Sequence, residues 1–188
     1  MPKVKFGFKN AYYSKITTGT NGTITYATPV KLRGAVSMSL SPAGNEVEFY
    51  ADDGLFFSDS ANNGYNGTLE LAMIQDDFLK DILGEVEDTN HVLQEKVTTT
   101  ASPFALLCEF TTDDGVKKFC FYNCTASRPE LASKTQGESK EVQTETLNLK
   151  IRPNVDGLVK VSTKPDTPST VTDAWYESVY TPTNTPTI

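Results

Sequence analysis

The sequence predicts a mainly β domain of antiparallel strands with one flanking α-helix at about residues 76–83, a long inter-strand loop and extended termini. Three observations predict it. Runs with an apolar residue at every second position recur along the chain, as in strands buried on one face. One stretch, Asp76 to Leu83, changes to a helical period. Clusters of Gly, Pro, Asn and Asp separate the runs and supply turns.

A chain of 188 residues is read as a single domain over 1–180, with a flexible tail at 181–188. At this length roughly 70% of the unfolded surface can be buried, so folding needs no staples. Val4 to Ile16 is aromatic-rich and reads as a first strand, with residues 1–15 as an N-terminal arm. Ile24 to Thr28 is a short strand after a polar turn. Val30 to Leu40 alternates most cleanly, with Val30, Leu32, Val36, Met38 and Leu40 inward and Lys31, Arg33, Ser37 and Ser39 outward. Residues 41–65 read as a long loop or arm carrying Phe49, Tyr50, Leu55, Phe56 and Phe57. Connections of that length are uncommon in compact domains and often functional. Either these aromatics project as anchors for a partner, or the segment folds back onto the core as an extra hairpin.

Asn66-Gly67 then reads as a turn and Thr68 to Ile74 as a strand with Leu69, Leu71 and Met73 on one face. Asp76 or Asp77 is the expected N-cap, Phe78, Leu79, Ile82 and Leu83 form the apolar face, and Gly84 stands where a helix ends. Glu85 to Thr100 is an acidic loop. Phe104 to Tyr122 is a hairpin around an Asp114-Gly115 turn, which pairs Phe110 with Phe119 and Cys108 with Phe121. Thr125 to Ser139 is a loop, and Val142 to Arg152 is a strand with Leu147, Leu149 and Ile151 inward. Leu158 to Thr163 is a last strand, and Thr172 to Tyr180 a short helix carrying Trp175, Val179 and Tyr180.

The chemistry points away from an enzyme. His91 is the only histidine and lies in a loop without a nucleophile motif. The three cysteines have no CxxC spacing and read as free thiols. Asp52, Asp53 and Asp59 miss the calcium-loop spacing and read as turn-forming. Three Asn-x-Thr triplets, at Asn21, Asn66 and Asn123, read as turns. No catalytic, cofactor or metal residue is expected. The formal charge of −7 disfavours tight binding of nucleic acid. No run of 18 apolar residues and no charged-then-apolar leader at Met1-Pro2-Lys3-Val4 is present, so neither a membrane span nor a secretory signal is expected.

Several stretches, taken together and in order, resemble one known family. They are TYATPVKLRGAVSMSLSPAGNEVEFYADDGLFF at Thr25 to Phe57, NNGYNGTLELAMIQDDFLKDILGE at Asn62 to Glu85, PFALLCEF at Pro103 to Phe110, FYNCTASRP at Phe121 to Pro129, QTETLNLKIRP at Gln143 to Pro153, and DTPSTVTDAWYESVY at Asp166 to Tyr180. They resemble the major tail protein (tail tube protein) family of long-tailed bacteriophages and prophages of Gram-positive bacteria. The resemblance implies an antiparallel β-sandwich, barrel-like fold and a structural virion protein, assembled in the host bacterial cytoplasm into stacked hexameric rings. Such rings form the tail tube around the tape-measure protein and conduct DNA to the host. Its partners would be itself, the tape-measure protein, the tail terminator and distal tail proteins. DNA would be met only in transit, not bound tightly, and no membrane is involved. Phe49, Tyr50, Leu55, Phe56 and Phe57 would then anchor a subunit or ring contact, with Tyr12, Tyr13, Trp175 and Tyr180 as second candidates. Lys31, Arg33, Ser37 and Ser39 would face the lumen. The alternative is a non-catalytic β-sandwich binding module, carbohydrate-binding or adhesin-like, whose Tyr50, Phe56 and Phe57 stack on sugars.

Overall fold

The computed structural model describes residues 4–44, 46–135 and 141–183. The chain is mainly β, and every strand pairing is antiparallel. Its strands are β1 (Lys5–Thr18), β2 (Ile24–Tyr26), β3 (Val30–Leu32), β4 (Ala35–Pro42), β5 (Glu46–Ala51), β6 (Gly54–Ser60) and β7 (Tyr65–Leu71). They continue with β8 (Val86–Glu87), β9 (Leu93–Gln94), β10 (Phe104–Thr112), β11 (Gly115–Ala126), β12 (Glu145–Arg152) and β13 (Lys160–Ser162). Nine of them form one sheet in the order β2-β1-β10-β11-β12-β7-β4, with β3 also on β1 and β13 on β11.

The sequence expectation of one long strand over Val30 to Leu40 is corrected. Gly34, at φ +75°, turns the chain between β3 and β4. β3 pairs with β1, while β4 pairs with β7 at the far end of the sheet. One continuous segment therefore joins both ends of the sheet, which curls around its own core as a barrel does. The inward residues of β1, β10 and β11 meet those of β7 and β12 in one cluster, among them Tyr13, Leu106, Phe121, Leu69, Leu71, Leu147 and Ile151. A bulge between Ala35 and Ser37 re-aims the strand, so Val36, expected inward, is exposed.

The helix forms where its period predicts, as α1 (Asp76–Phe78) continued by a π-helical turn over Leu79–Leu83. Phe78 and Ile82 are fully buried, and Gly84 closes the helix in the left-handed conformation. The cap is corrected: Gln75 holds the N-cap position, with no side-chain hydrogen bond, and both aspartates fall in the first turn. The helix covers the core through aromatic edges. Phe78 meets Tyr13 at 5.1 Å and Phe104 at 5.4 Å, both near perpendicular. The Tyr13 hydroxyl donates to Asp81 on the same helix at 2.9 Å.

β7 ends at Leu71, two residues before Met73, which points to solvent, while Ile74 is buried. Asn66-Gly67 lies inside β7 rather than at a turn. A side chain at Gly67 would stand 1.9 Å from the Ser39 carbonyl, so this glycine serves close approach of two backbones. Asn123 likewise lies within β11, whereas Asn21 does occupy a turn.

In the β10–β11 hairpin the turn is Asp113-Asp114, and Cys108 pairs with Phe119 and Leu106 with Phe121. The expected register is thus off by two residues. An even shift keeps every side chain on its face, and Phe104, Leu106, Cys108 and Phe121 do sit in the first core. The opposite face is buried too. Ala105, Leu107, Cys120 and Tyr122 form a second cluster with Trp175 and Val179. Those last two come from the C-terminal segment, where α2 (Ser169–Asp173) runs into a 3-10 turn at Ala174–Tyr176. The Tyr122 hydroxyl donates to the Tyr180 carbonyl at 2.7 Å, and the Lys118 ammonium to the Thr172 carbonyl at 2.7 Å.

β12 forms as expected, with Leu147, Leu149 and Ile151 buried. The acidic stretch after the helix contains a small β8–β9 hairpin. The expected tail at 181–188 and loop to Ser139 lie partly outside the described residues, at 184–188 and 136–140. Among the described residues no helix is long and apolar enough to cross a membrane.

Candidate assembly surface

The stretch 41–65, expected as a loop, contains a β-hairpin of β5 and β6. β5 and β6 pair with each other alone, from Glu46 opposite Ser60 to Ala51 opposite Gly54. Asp52 and Asp53 make the turn with φ of 51° and 59°, the two positive values that a type I′ turn needs. Their reading as turn residues holds, whereas Asp59, read in the same way, lies within β6. The hairpin extends the β4–β7 ladder beyond the domain. The neck is fixed by paired backbone bonds, Ala43 N–H to the Gly64 carbonyl and Asn63 N–H to the Ala43 carbonyl, each 2.8 Å. Side chains are excluded there. A Cβ at Gly44 would stand 1.9 Å from the Ala61 carbonyl, and one at Gly64 2.0 Å from the Ile151 carbonyl.

Neither sequence alternative describes the aromatics fully: the segment is a hairpin, and it does not fold back. Phe49 is 57% exposed, Tyr50 63%, Leu55 54%, Phe56 73% and Phe57 53%. Phe49 faces Phe57 across the strands and Tyr50 faces Leu55, with a bulge between the pairs. Phe56 is the residue left over at that bulge, and its ring meets Phe49 edge-on at 6.2 Å. The Tyr50 hydroxyl donates to the Glu48 carboxylate at 2.7 Å, a bond that holds the phenol above its ordinary pKa. Two-stranded ribbons of this kind are marginal alone in water. Five large apolar side chains on one ribbon form the kind of patch that marks an interaction site.

The second-choice contact residues are corrected. Tyr13 and Trp175 are 1% and 3% exposed. Tyr12 stacks on Tyr176 at 4.4 Å and Tyr180 on Trp175 at 5.7 Å. Tyr13 and Trp175 are core residues, and Tyr12 and Tyr180 are half-buried against the same chain; residues 5–15 are a sheet strand instead of a free arm. Alternation along β1 sends Tyr13 into one core and Tyr12 towards the other. A buried carboxylate completes this side. Glu109 accepts from Asn10 and from Tyr176, each at 2.8 Å, with Lys9 at 3.7 Å. Burial, then the Glu109 bond, pushes the Tyr176 phenol up.

The four lumen candidates are all exposed, but the structure does not bring them together. Ser37 and Ser39 lie on β4, in rows with Glu70 and Thr68 of β7 and Thr146 and Asn148 of β12. Glu70 accepts from Ser37 at 2.7 Å and Thr144 at 2.6 Å, and these hydroxyls hold its pKa low, Thr144 most. Lys31 sits instead on β3 over the Tyr12 ring at 5.7 Å, and Arg33 lies at the β3–β4 corner. The rows of Thr68, Thr146 and Asn148 were missed in the sequence because they become one surface only when β7 and β12 pair.

Reactive chemistry is held down. Cys108, Cys120 and Cys124 are buried and unpaired, and burial pushes the Cys108 thiol up to about 12 and raises the other two as well. His91 is exposed and contacts Glu87. Among the described residues no group of three metal-ligating side chains is assembled. Comparison with known proteins gives neither a matching family model nor a matching curated protein.

Proposed function

We propose that this chain is a structural subunit that assembles with copies of itself into stacked hexameric rings, as the resemblance to tail tube proteins implies. One observation carries the reading. The domain already buries its helix, the inner sheet face and, under its C-terminal segment, the second face of β10 and β11, yet holds out a stapled hairpin bearing five exposed large apolar residues. A soluble monomer gains nothing from such a feature, whereas a subunit does. The hydroxyl-rich face of β4, β7 and β12 suits a lumen wall. It offers Ser37, Ser39, Thr68, Thr146 and Asn148, with Glu70 and, in the next row, Lys150 as its charged groups, so a single lysine of these rows stands ready to hold passing phosphates. Six copies of a chain with charge −7 would further repel DNA in transit. The tape-measure protein would fill the bore during assembly, with tail terminator and distal tail proteins at the ends.

Negative-stain electron microscopy across a protein concentration series tests this. Rings or tubes with a central hole are expected. A monodisperse particle at every concentration, together with retention on a glycan array that is lost on Phe56→Ala, would instead establish the carbohydrate-binding alternative.

A further inference from the structure

The β4–β7 ladder has two unlike ends. At one, Pro42 faces Tyr65 and the chain runs into the β5–β6 hairpin. At the other, Ala35 faces Leu71 and the chain turns the corner through Arg33-Gly34 on one side and Ala72-Met73 on the other. The corner is tight, with the Ala72 N–H donating to the Gly34 carbonyl at 2.7 Å. At the usual rise the two ends lie roughly 20 Å apart.

Exposed apolar residues collect at both ends. Opposite the hairpin, the corner shows Met73 at 66% exposure and Val36 at 47%. The hairpin is acidic throughout, whereas the corner is of mixed charge, with Lys31, Arg33 and Lys80 beside Asp76 and Asp77. Residues 46–60 carry Glu46, Glu48, Asp52, Asp53 and Asp59 and no lysine or arginine. The corner carries Lys31 and Arg33, and among the described residues no carboxylate pairs with either. An open cleft there runs between Arg33, Met73, Gln75, Asp76 and Lys80. Asp77 beside it is engaged by Lys80 at 3.5 Å.

Resting on the self-assembly reading above, we propose that the receiving surface for the hairpin is this corner on the next copy. Phe56 and Phe57 pack against Met73 and Val36, and Lys31 and Arg33 meet the hairpin carboxylates. Donor and receiver are different surfaces at opposite ends of one ladder, so the contact is heterologous. Repeated, it translates along the ladder and builds an open stack instead of closing as a dimer. Its charged part weakens as salt rises.

The test is a cysteine pair, Leu55→Cys with Met73→Cys, treated with a short bis-maleimide. The native thiols are buried and stay unlabelled in the folded protein. A hairpin tip lies at the wrong end of the ladder to reach Met73 of its own chain, so any bridge is between copies. The expected result is a ladder of covalent multimers, with each single variant giving dimers at most. Arg33→Glu, at an exposed position, is expected to weaken association by about tenfold or more without lowering the melting temperature. Tubes that form without the ladder overturn the corner and leave self-assembly standing. So does a ladder from Leu55→Cys with Val116→Cys, which would seat the hairpin in the cleft beside the Asp113-Asp114 turn. A sedimentation profile of pure monomer at every concentration overturns both readings.

Discussion

Replacing Phe56 and Phe57 together by Asp separates a side chain that holds the fold from one that holds a partner. Phe56 is 73% exposed and Phe57 53%. Full burial of a phenylalanine is worth about 1.5–3 kcal/mol, so the unburied parts of these two rings leave about 2–4 kcal/mol to be gained in a contact. At 1.4 kcal/mol per tenfold, losing it weakens association by roughly 30-fold to several hundredfold. The new carboxylates add desolvation and repulsion, since the hairpin is already acidic. The isolated subunit should notice little, because substitutions at exposed sites cost within about 0.5 kcal/mol, a shift of about 2 °C or less at this length. Sedimentation velocity over a concentration series reads the first quantity and a thermal melt the second. Unchanged assembly would refute the hairpin as the contact. A melting temperature lowered by about 6 °C or more would show that the two rings support the domain itself.

Phe78→Ala has the opposite profile: the ring is fully buried between Tyr13 and Phe104, so a loss of about 3–5 kcal/mol and roughly 6–20 °C is expected in a thermal melt. Gly64→Ala should destabilise by about 1–3 kcal/mol in urea unfolding, because the residue sits at φ +93° and its new Cβ would meet the Ile151 carbonyl. Stability should fall as pH rises above about 8.5. Each buried thiol keeps its proton longer folded than unfolded, so each contributes up to about 1.4 kcal/mol of loss per pH unit once the unfolded thiols ionise. Urea midpoints at pH 7.5, 9 and 10 check this, and Cys108→Ala should flatten the slope up to about pH 12. Trp175, the only tryptophan and 3% exposed, should emit at short wavelength in the native protein and shift red on unfolding; a red-shifted native spectrum would contradict the docked C-terminal segment.

The legible parts of this chain were those where one period governs one element. The helix from Asp76 to Leu83 and the inward faces of β10, β11 and β12 follow from local spacing, and an error of two residues in the β10–β11 register moved no side chain to the wrong face. What stayed hidden depends on pairing over long separations. A period of two runs through Val30 to Leu40 whether the segment is one strand or two strands of different parts of the sheet. Only the pairing of β3 with β1 and of β4 with β7 makes Gly34 a corner. Likewise nothing local distinguishes Tyr13 and Trp175, which are core, from Phe56, which is exposed. All are aromatic residues in polar surroundings, and what decides is whether another element arrives to cover them. The helix covers Tyr13 and β11 backs Trp175, whereas β5 and β6 find only each other. The residues that the fold leaves uncovered are therefore the ones that sequence reading places least well, and they are also the ones through which a second copy would have to act.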